Sequence, residues 1–339
     1  MREAPDAGSD VALPAALAAA LTLCDPYQAA FHRRWHHLRH SHARALAYLT
    51  TAPDLLDADA ACWHGRLASA AQLGATDPAW LAALDRDDSA LLAAFGERTY
   101  NRLGLYAEKL MAWYFAEHGM LHAHGVQLRD ACNGTLGEFD YLLETAAGLL
   151  HIELATKFYL HVTGGPAPDA LVRFVGPNLG DTLGSKMDKI VHRQLKLGAL
   201  PEARAALGRD VADARAWVKG WLYYRGDYLQ ARRVPGIAVQ HQRGYWCTLS
   251  ELPLALGPAA LMPKLQWLAP LQLEDGGMVD TGDAMRARLH AYFAGHHAPV
   301  QIAQLVEVEG SWIETRRGFV VPDGWPDLAE CYARAQGAA

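Results

Sequence analysis

The residues of this chain best suited to chemistry lie in one stretch, GEFDYLLETAAGLLHIELATKFYL, residues 137–160. It carries Glu138, Asp140, Glu153 and Lys157. A hairpin centred on Ala146 and Ala147 makes the numbers of facing residues sum to 293, which sets Asp140 opposite Glu153. Directly opposed residues hold their Cβ atoms about 4.5–5.5 Å apart on one face of the sheet. Two carboxylates so placed repel each other, and on a half-buried sheet both also lose water. A divalent cation answers both problems. Glu138 shares the face of Asp140 by the two-residue period of a strand, and Lys157 shares that of Glu153. Oxygen ligands without His or Cys favour Mg²⁺ or Mn²⁺ over zinc. The alternative is a set of solvent-facing charges on an ordinary antiparallel sheet. Against that stands the strongly apolar setting of Leu149, Leu150, Ile152 and Leu154.

The surrounding pattern supplies elements that would position these groups. Residues 11–120 read as helical, with Ala and Leu at helical spacing and breaks at Pro53 and Pro78. The segment 101–119, NRLGLYAEKLMAWYFAEHG, is the strongest helix, with Gly119 as its stop. Residues 126–129 are a short strand, and 137–143 and 149–160 form the hairpin. A Gly/Pro-rich loop at 164–168 leads to a strand at 171–175 and a helix at 181–197 with Asp181 as N-cap. Further strands are expected at 217–224, 301–308 and 312–321, and Pro322 and Pro326 close the ordered part.

The helix at 181–197 offers a basic face of Lys186, Lys189, Arg193 and Lys196 opposite Leu183, Met187 and Ile190. Such a face beside a metal site would contact phosphates, and is otherwise a solvated surface. Three other signals are weaker. The GDTLGSK run at 180–186 lacks the spacing of a phosphate-binding loop. The cluster His32, His36, His37, His40 and His42 lacks a third ligand with metal geometry. Trp217, Trp221, Tyr223, Tyr224, Tyr245 and Trp246 read as core before they read as a base-stacking platform.

The chain has 339 residues, 51% of them hydrophobic and 20% charged, which excludes wholesale disorder, collagen and coiled coil. Lys plus Arg number 31 against 37 Asp plus Glu, a formal net charge of -6. Any surface for nucleic acid must therefore be local. No membrane span or signal peptide is read, the stretch 11–23 being an Ala/Leu helix. The five cysteines are scattered without a CxxC pair, which fits a reducing, cytoplasmic setting.

The constellation resembles the PD-(D/E)XK nuclease superfamily, in which a Glu-bearing helix precedes a hairpin carrying an Asp and then Glu-x-Lys. Glu108, four residues after Gly104, stands on the helix; GEFD supplies Asp140; HIELATK supplies Glu153 and Lys157. The superfamily lysine falls two residues after the Glu, where this chain has Ala155. Lys157 stands one pleat further, about 6–7 Å along the strand and on the same face. More narrowly, HARALAYLTTAPDLL, ELATKFYL, GPNLGDTLGSKMDKIVHRQL, KGWLYY and FVVPDGWP resemble an uncharacterised bacterial family of unknown function assigned to that superfamily.

The resemblance implies an α/β fold. A PD-(D/E)XK-like mixed sheet flanked by helices forms a core at 96–200. An N-terminal helical region occupies 1–95, and an α+β extension at 201–339 packs on the core. It also implies a Mg²⁺- or Mn²⁺-dependent nuclease with DNA as the favoured substrate. Asp140 and Glu153 would ligate metal, Glu108 and Glu138 would support them, and Lys157 would orient the nucleophile. Lys186, Lys189 and Arg193, with His192 and Gln194 as secondary contacts, would meet the nucleic acid. The displaced lysine favours an alternative, a catalytically silent nucleic-acid- or protein-binding module that kept the fold. Oligomeric state is left open.

Overall fold

In the computed structural model of the protein, which describes residues 13–73, 76–96, 100–163 and 170–337, the Ala/Leu-rich N-terminal third is helical because its apolar residues recur every three to four positions. Its helices are α1 (Ala15–Leu21), α2 (Pro26–Trp35), α3 (Ser41–Thr51), α4 (Pro78–Arg86), α5 (Ser89–Phe95) and α6 (Leu103–Glu117). The breakers act as expected. α3 ends before Pro53, and Pro78 opens α4, where the Asp77 side chain accepts the Ala79 N–H at 2.8 Å. α6 stops at Gly119, whose φ of 64° lets the Met120 N–H donate back to the Phe115 carbonyl at 2.8 Å.

After α6 come β1 (Leu121–Arg129), β2 (Thr135–Thr145), β3 (Gly148–His161), β4 (Phe174–Val175), α7 (Leu183–His192), α8 (Pro201–Leu207) and β5 (Val211–Tyr224). The chain continues through β6 (Gln242–Thr248), β7 (Ala259–Leu261), β8 (Gln272–Leu273), α9 (Gly282–Gly295), β9 (Val300–Val308), β10 (Ser311–Val321) and α10 (Trp325–Gly337). All the strands join one sheet ordered β1-β2-β3-β5-β6-β10-β9-β7, with β4 on β3 and β8 on β10. β3, β5, β6 and β10 run parallel at its centre, and the flanks are antiparallel. The protein is thus α/β with a mixed sheet and helices on both faces.

Central parallel strands are covered on both faces, so they carry apolar residues without alternation. On β5, Trp217, Trp221 and Tyr223 pack with Leu46, Leu110 and Phe115 of α3 and α6. Ala216, Val218 and Leu222 point the other way, against Leu183, Met187 and Ile190 of α7. Of the aromatics read as core, Trp217, Trp221, Tyr223, Tyr224 and Trp246 are buried, and Tyr245 is half-buried against the core. α1 and α2 pack on the far end of the sheet, where Leu17 and Leu21 meet Ile313 and Val306.

Three expectations need correction. Residues 171–175 form a 3₁₀ turn, Ala170–Arg173, before a two-residue strand. The helix expected at 181–197 is shorter. Thr182 caps it in a reciprocal pair with Ser185, and it breaks at Arg193 (φ -126°, ψ -60°) into a 3₁₀ segment, Gln194–Ala199. Asp181 does not cap, because its carboxylate is bound to Lys157 and Tyr159. Pro322 and Pro326 do not close the ordered part. Pro326 sits in the first turn of α10, where its missing N–H costs nothing. The loop expected at 164–168 lies outside the described residues.

Candidate active site

The β2–β3 ladder runs from Thr145–Gly148 to Tyr141–Ile152, each pair summing to the expected 293. The next pair on that register is Asp140 with Glu153, and there the ladder gives way. The Asp140 carboxylate accepts the Leu154 N–H at 3.0 Å through Oδ2. Among the described residues no strand then flanks β3 on this side until β4 pairs with Leu160. On its other side β3 is paired with β5 from Leu149 to Leu160, with one register shift after Leu149 and none along the notch. The sheet therefore contains a notch between β2 and β4.

α6 lies along this notch. A Cβ built on Gly104 would sit in ordinary contact, 3.9 Å, with both Glu108 Oε1 and Thr156 Oγ1, which places the start of the helix beside β3. The Tyr141 hydroxyl donates to the Glu108 carbonyl at 2.8 Å, fixing the helix to β2. Glu138 stands exposed at the rim, near Gly125, and its charge acts on Glu108.

Glu153 is 2% exposed. Gln194 donates to its Oε1, while Oε2 has no hydrogen-bond partner among the described residues. His151, two residues earlier on the same strand face, is fully buried, and neither of its ring nitrogens has a hydrogen-bond partner there. Its Nε2 lies 3.8 Å from Glu153 Oε2. Burial pushes the His151 pKa down to about 4, so the ring is neutral at pH 7. Burial also raises Glu153 well above the ordinary carboxylate range, and the Asp140 charge raises it further. Asp140 is raised by burial first and by Glu108 second. Glu108 is itself raised, by burial and then by Glu138. Loss of water and mutual repulsion thus both oppose ionisation of these carboxylates, and the Lys186 charge works against that rise at Asp140 and Glu153.

Two lysines border it and behave differently. Lys157 is half-buried, and its Nζ lies 2.7 Å from Asp181 Oδ2, which also accepts the Tyr159 hydroxyl at 3.1 Å. Lys186, from the first turns of α7, is half-buried and donates to Gln194 Oε1 at 3.4 Å. Burial lowers its pKa, and the Glu153 and Asp140 charges oppose that fall. Lys186 was expected on an outward basic face that would meet the nucleic acid. Instead it turns toward the carboxylates, linked to Glu153 through Gln194.

The rest of that face stays outside. Lys189, His192, Arg193 and Lys196 are exposed, and His192 Nε2 stands 3.7 Å from Asp188. The His cluster disperses. His32 is buried and donates to the Glu314 carbonyl at 3.0 Å, His42 bonds the Tyr106 hydroxyl at 2.8 Å, and His37 and His40 are exposed. Sequence reasoning missed His151 and Asp181. The first was legible by parity, since it stands two residues before Glu153. The second was misassigned as a helix cap.

Among the described residues no three His, Cys, Asp or Glu side chains group closely enough to hold a metal ion. Two carboxylates are still a fitting donor set for Mg²⁺ or Mn²⁺, because such ions keep several waters and take one or two protein carboxylates. The unpartnered Glu153 Oε2 agrees with that.

Fold and site together define a mixed α/β protein with a carboxylate- and lysine-bordered notch in its central sheet. The chain belongs to the family described as Domain of unknown function (DUF1853), whose model matches residues 44–321. No curated protein and no solved structure matches it. No helix among the described residues is long and apolar enough to cross a membrane.

Proposed function

We propose that the chain is a PD-(D/E)XK-type, Mg²⁺- or Mn²⁺-dependent nuclease that hydrolyses phosphodiester bonds, with DNA as the favoured substrate. The observation that carries the reading is the pair of half-buried Asp140 and buried Glu153, set at the point where β2 leaves β3 and raised in pKa by loss of water and by neighbouring carboxylates. These two side chains would hold the ion, with Glu108 and Glu138 beside them. A bound Mg²⁺ or Mn²⁺ supplies an acidified water and offsets charge on the phosphate.

The protein groups then have distinct tasks. Gln194 holds Glu153 Oε1 in place. Lys186 provides a fixed positive charge beside the carboxylates, the kind of preorganised charge that stabilises a phosphoryl oxygen as it gains electron density. The resemblance gives the positioning role to Lys157; its pairing with Asp181 moves that role to Lys186 in this reading. The exposed Lys189 and Arg193 would meet the backbone of the nucleic acid. Five unpaired cysteines support a cytoplasmic location.

The test is cleavage of single- and double-stranded DNA and of RNA with Mn²⁺. Lys186→Met is expected to lose about 10²-fold or more in rate, and Lys157→Met less than about tenfold. A wild type inert on every substrate sinks the reading. It would then favour a silent binding module, a second reading that the engaged Lys157 supports.

A further inference from the structure

A cavity of about 430 Å³ opens between the first turn of α3 and the segment 265–274. None of its lining residues belongs to the carboxylate notch, so its chemistry is independent of the nuclease reading. Arg44 lines it and is 5% exposed. Its Nη1 donates to the carbonyls of Trp35 and Leu38 at 3.2 and 3.1 Å and to Gln272 Oε1 at 2.8 Å. Its Nη2 donates to the Pro270 carbonyl at 2.8 Å. All four acceptors are neutral.

The acids nearby are engaged elsewhere. Glu274 pairs with Arg39 at 3.1 Å, Glu314 with Arg317 at 2.6 Å, and Asp85 Oδ1 accepts the N–H groups of Arg39 and His40 at 2.8 Å. Among the described residues no carboxylate pairs with Arg44, and no acceptor meets its Nε. The charges of Glu314 and Asp85 reach Arg44 only from a distance and burial still outweighs them, so a carboxylate in contact would relieve it, and the Nε edge of its fork matches a planar carboxylate. The cavity also meets the N-terminus of the eleven-residue α3, whose N-cap His40 gives no side-chain cap. That end of a helix favours an anion. The remaining lining includes Leu265, Leu268, Leu271 and Ala45, together with Gln266, whose buried Oε1 has no hydrogen-bond partner.

We infer that this cavity binds a small organic carboxylate. The carboxyl group sits on Arg44 at the start of α3, the apolar body lies on Leu265, Leu268 and Leu271, and a hydroxyl or amide donor meets Gln266. Inorganic phosphate fits less well, because it is strongly hydrated and offers nothing to the leucines.

The experiment uses the full chain in thermal shift and calorimetric titration with hexanoate, hexanol and inorganic phosphate. Hexanoate should raise the melting temperature saturably, and the other two should not. Ser41 lines the cavity, is exposed and opens α3, so Ser41→Asp places a negative charge at the mouth where the helix itself tolerates an acid. That variant should fold and bind hexanoate about tenfold or more weakly. Arg44→Lys keeps the charge, removes the fork and should also weaken binding; if it does not fold, Ser41→Asp decides. The inference is overturned by no response to hexanoate, by an equal response to hexanol or to phosphate, or by an unchanged response in Ser41→Asp.

Discussion

The Asp140 carboxylate accepts the Leu154 N–H at 3.0 Å, taking the place of a strand partner where β2 turns away from β3. One side chain thus ends a ladder and holds a charge at the opening it creates. Asn keeps an oxygen for the same bond, whereas Ala leaves the amide unpartnered.

Asp140→Asn should therefore fold, and Asp140→Ala should lose about 1–3 kcal/mol of stability. The wild type should gain about 2.7 kcal/mol when Mn²⁺ reaches a hundredfold excess over its Kd. Both variants should lose that gain. Urea denaturation with and without Mn²⁺ separates the two effects, and a gain retained in Asp140→Asn would remove Asp140 from the ion.

The raised carboxylates also set a pH dependence. A group whose pKa is higher folded than unfolded contributes stability at low pH, and that contribution is lost as the pH rises through the folded value. For Asp140 and Glu153 the loss runs from the ordinary carboxylate range up to about pH 8. Metal-free protein should therefore melt lower at pH 8 than the double variant Asp140→Asn/Glu153→Gln, with the two converging near pH 4. The Mn²⁺-induced rise in Tm should grow over the same interval. A metal effect that does not change with pH would contradict the assignment.

Gly220 stands opposite Lys157 in the β3–β5 pairing with φ of 143°, and a Cβ there would lie 1.7 Å from the Lys157 carbonyl oxygen. Neither backbone can yield without breaking the central pairing. Gly220→Ala should cost about 3 kcal/mol, from strain and overpacking together. The midpoint of urea unfolding measures it, and a cost below about 1 kcal/mol would mean that the strands part easily at this point.

If nucleic acid binds, Lys189 and Arg193 should contribute two phosphate contacts. Reversing both to Glu should flatten the plot of log affinity against log salt by about 0.7–0.9 per contact and weaken all sequences alike. Folding should survive, because both side chains are exposed, opposite the buried Leu183, Met187 and Ile190. An unchanged slope would place the contact surface elsewhere.

The hairpin was legible because a two-residue turn and the alternation of residues leave only one register, and the pairs from Thr145–Gly148 to Tyr141–Ile152 obey it. The basic helix was legible only in part. Its apolar stripe identified Leu183, Met187 and Ile190 as buried, but Lys186 borders that stripe, and periodicity cannot say to which side a long side chain leans. The break at Arg193 carries no Gly or Pro to announce it. Asp181 and Thr182 are both good caps, and the choice between them is made by Lys157, which is distant in sequence and near in space. β6 escaped notice because its two aromatics, Tyr245 and Trp246, are adjacent and flanked by a glycine and polar groups, in a stretch too short for a clear period.

The central position of β5 has a consequence for any shortened form of the chain. β5 begins after residue 200, yet it lines one whole side of β3 from Leu149 to Leu160, and between Glu153 and Tyr159 it is the strand that β3 pairs with. A polypeptide ending at 200 would keep Glu108, Asp140, Glu153, Lys157 and Lys186 and still lack the strand that aligns them. It would present a bare row of amide and carbonyl groups, a template for aggregation. A truncation meant to isolate the site would yield insoluble material, and the smallest soluble unit that carries it must draw on both sides of that cut.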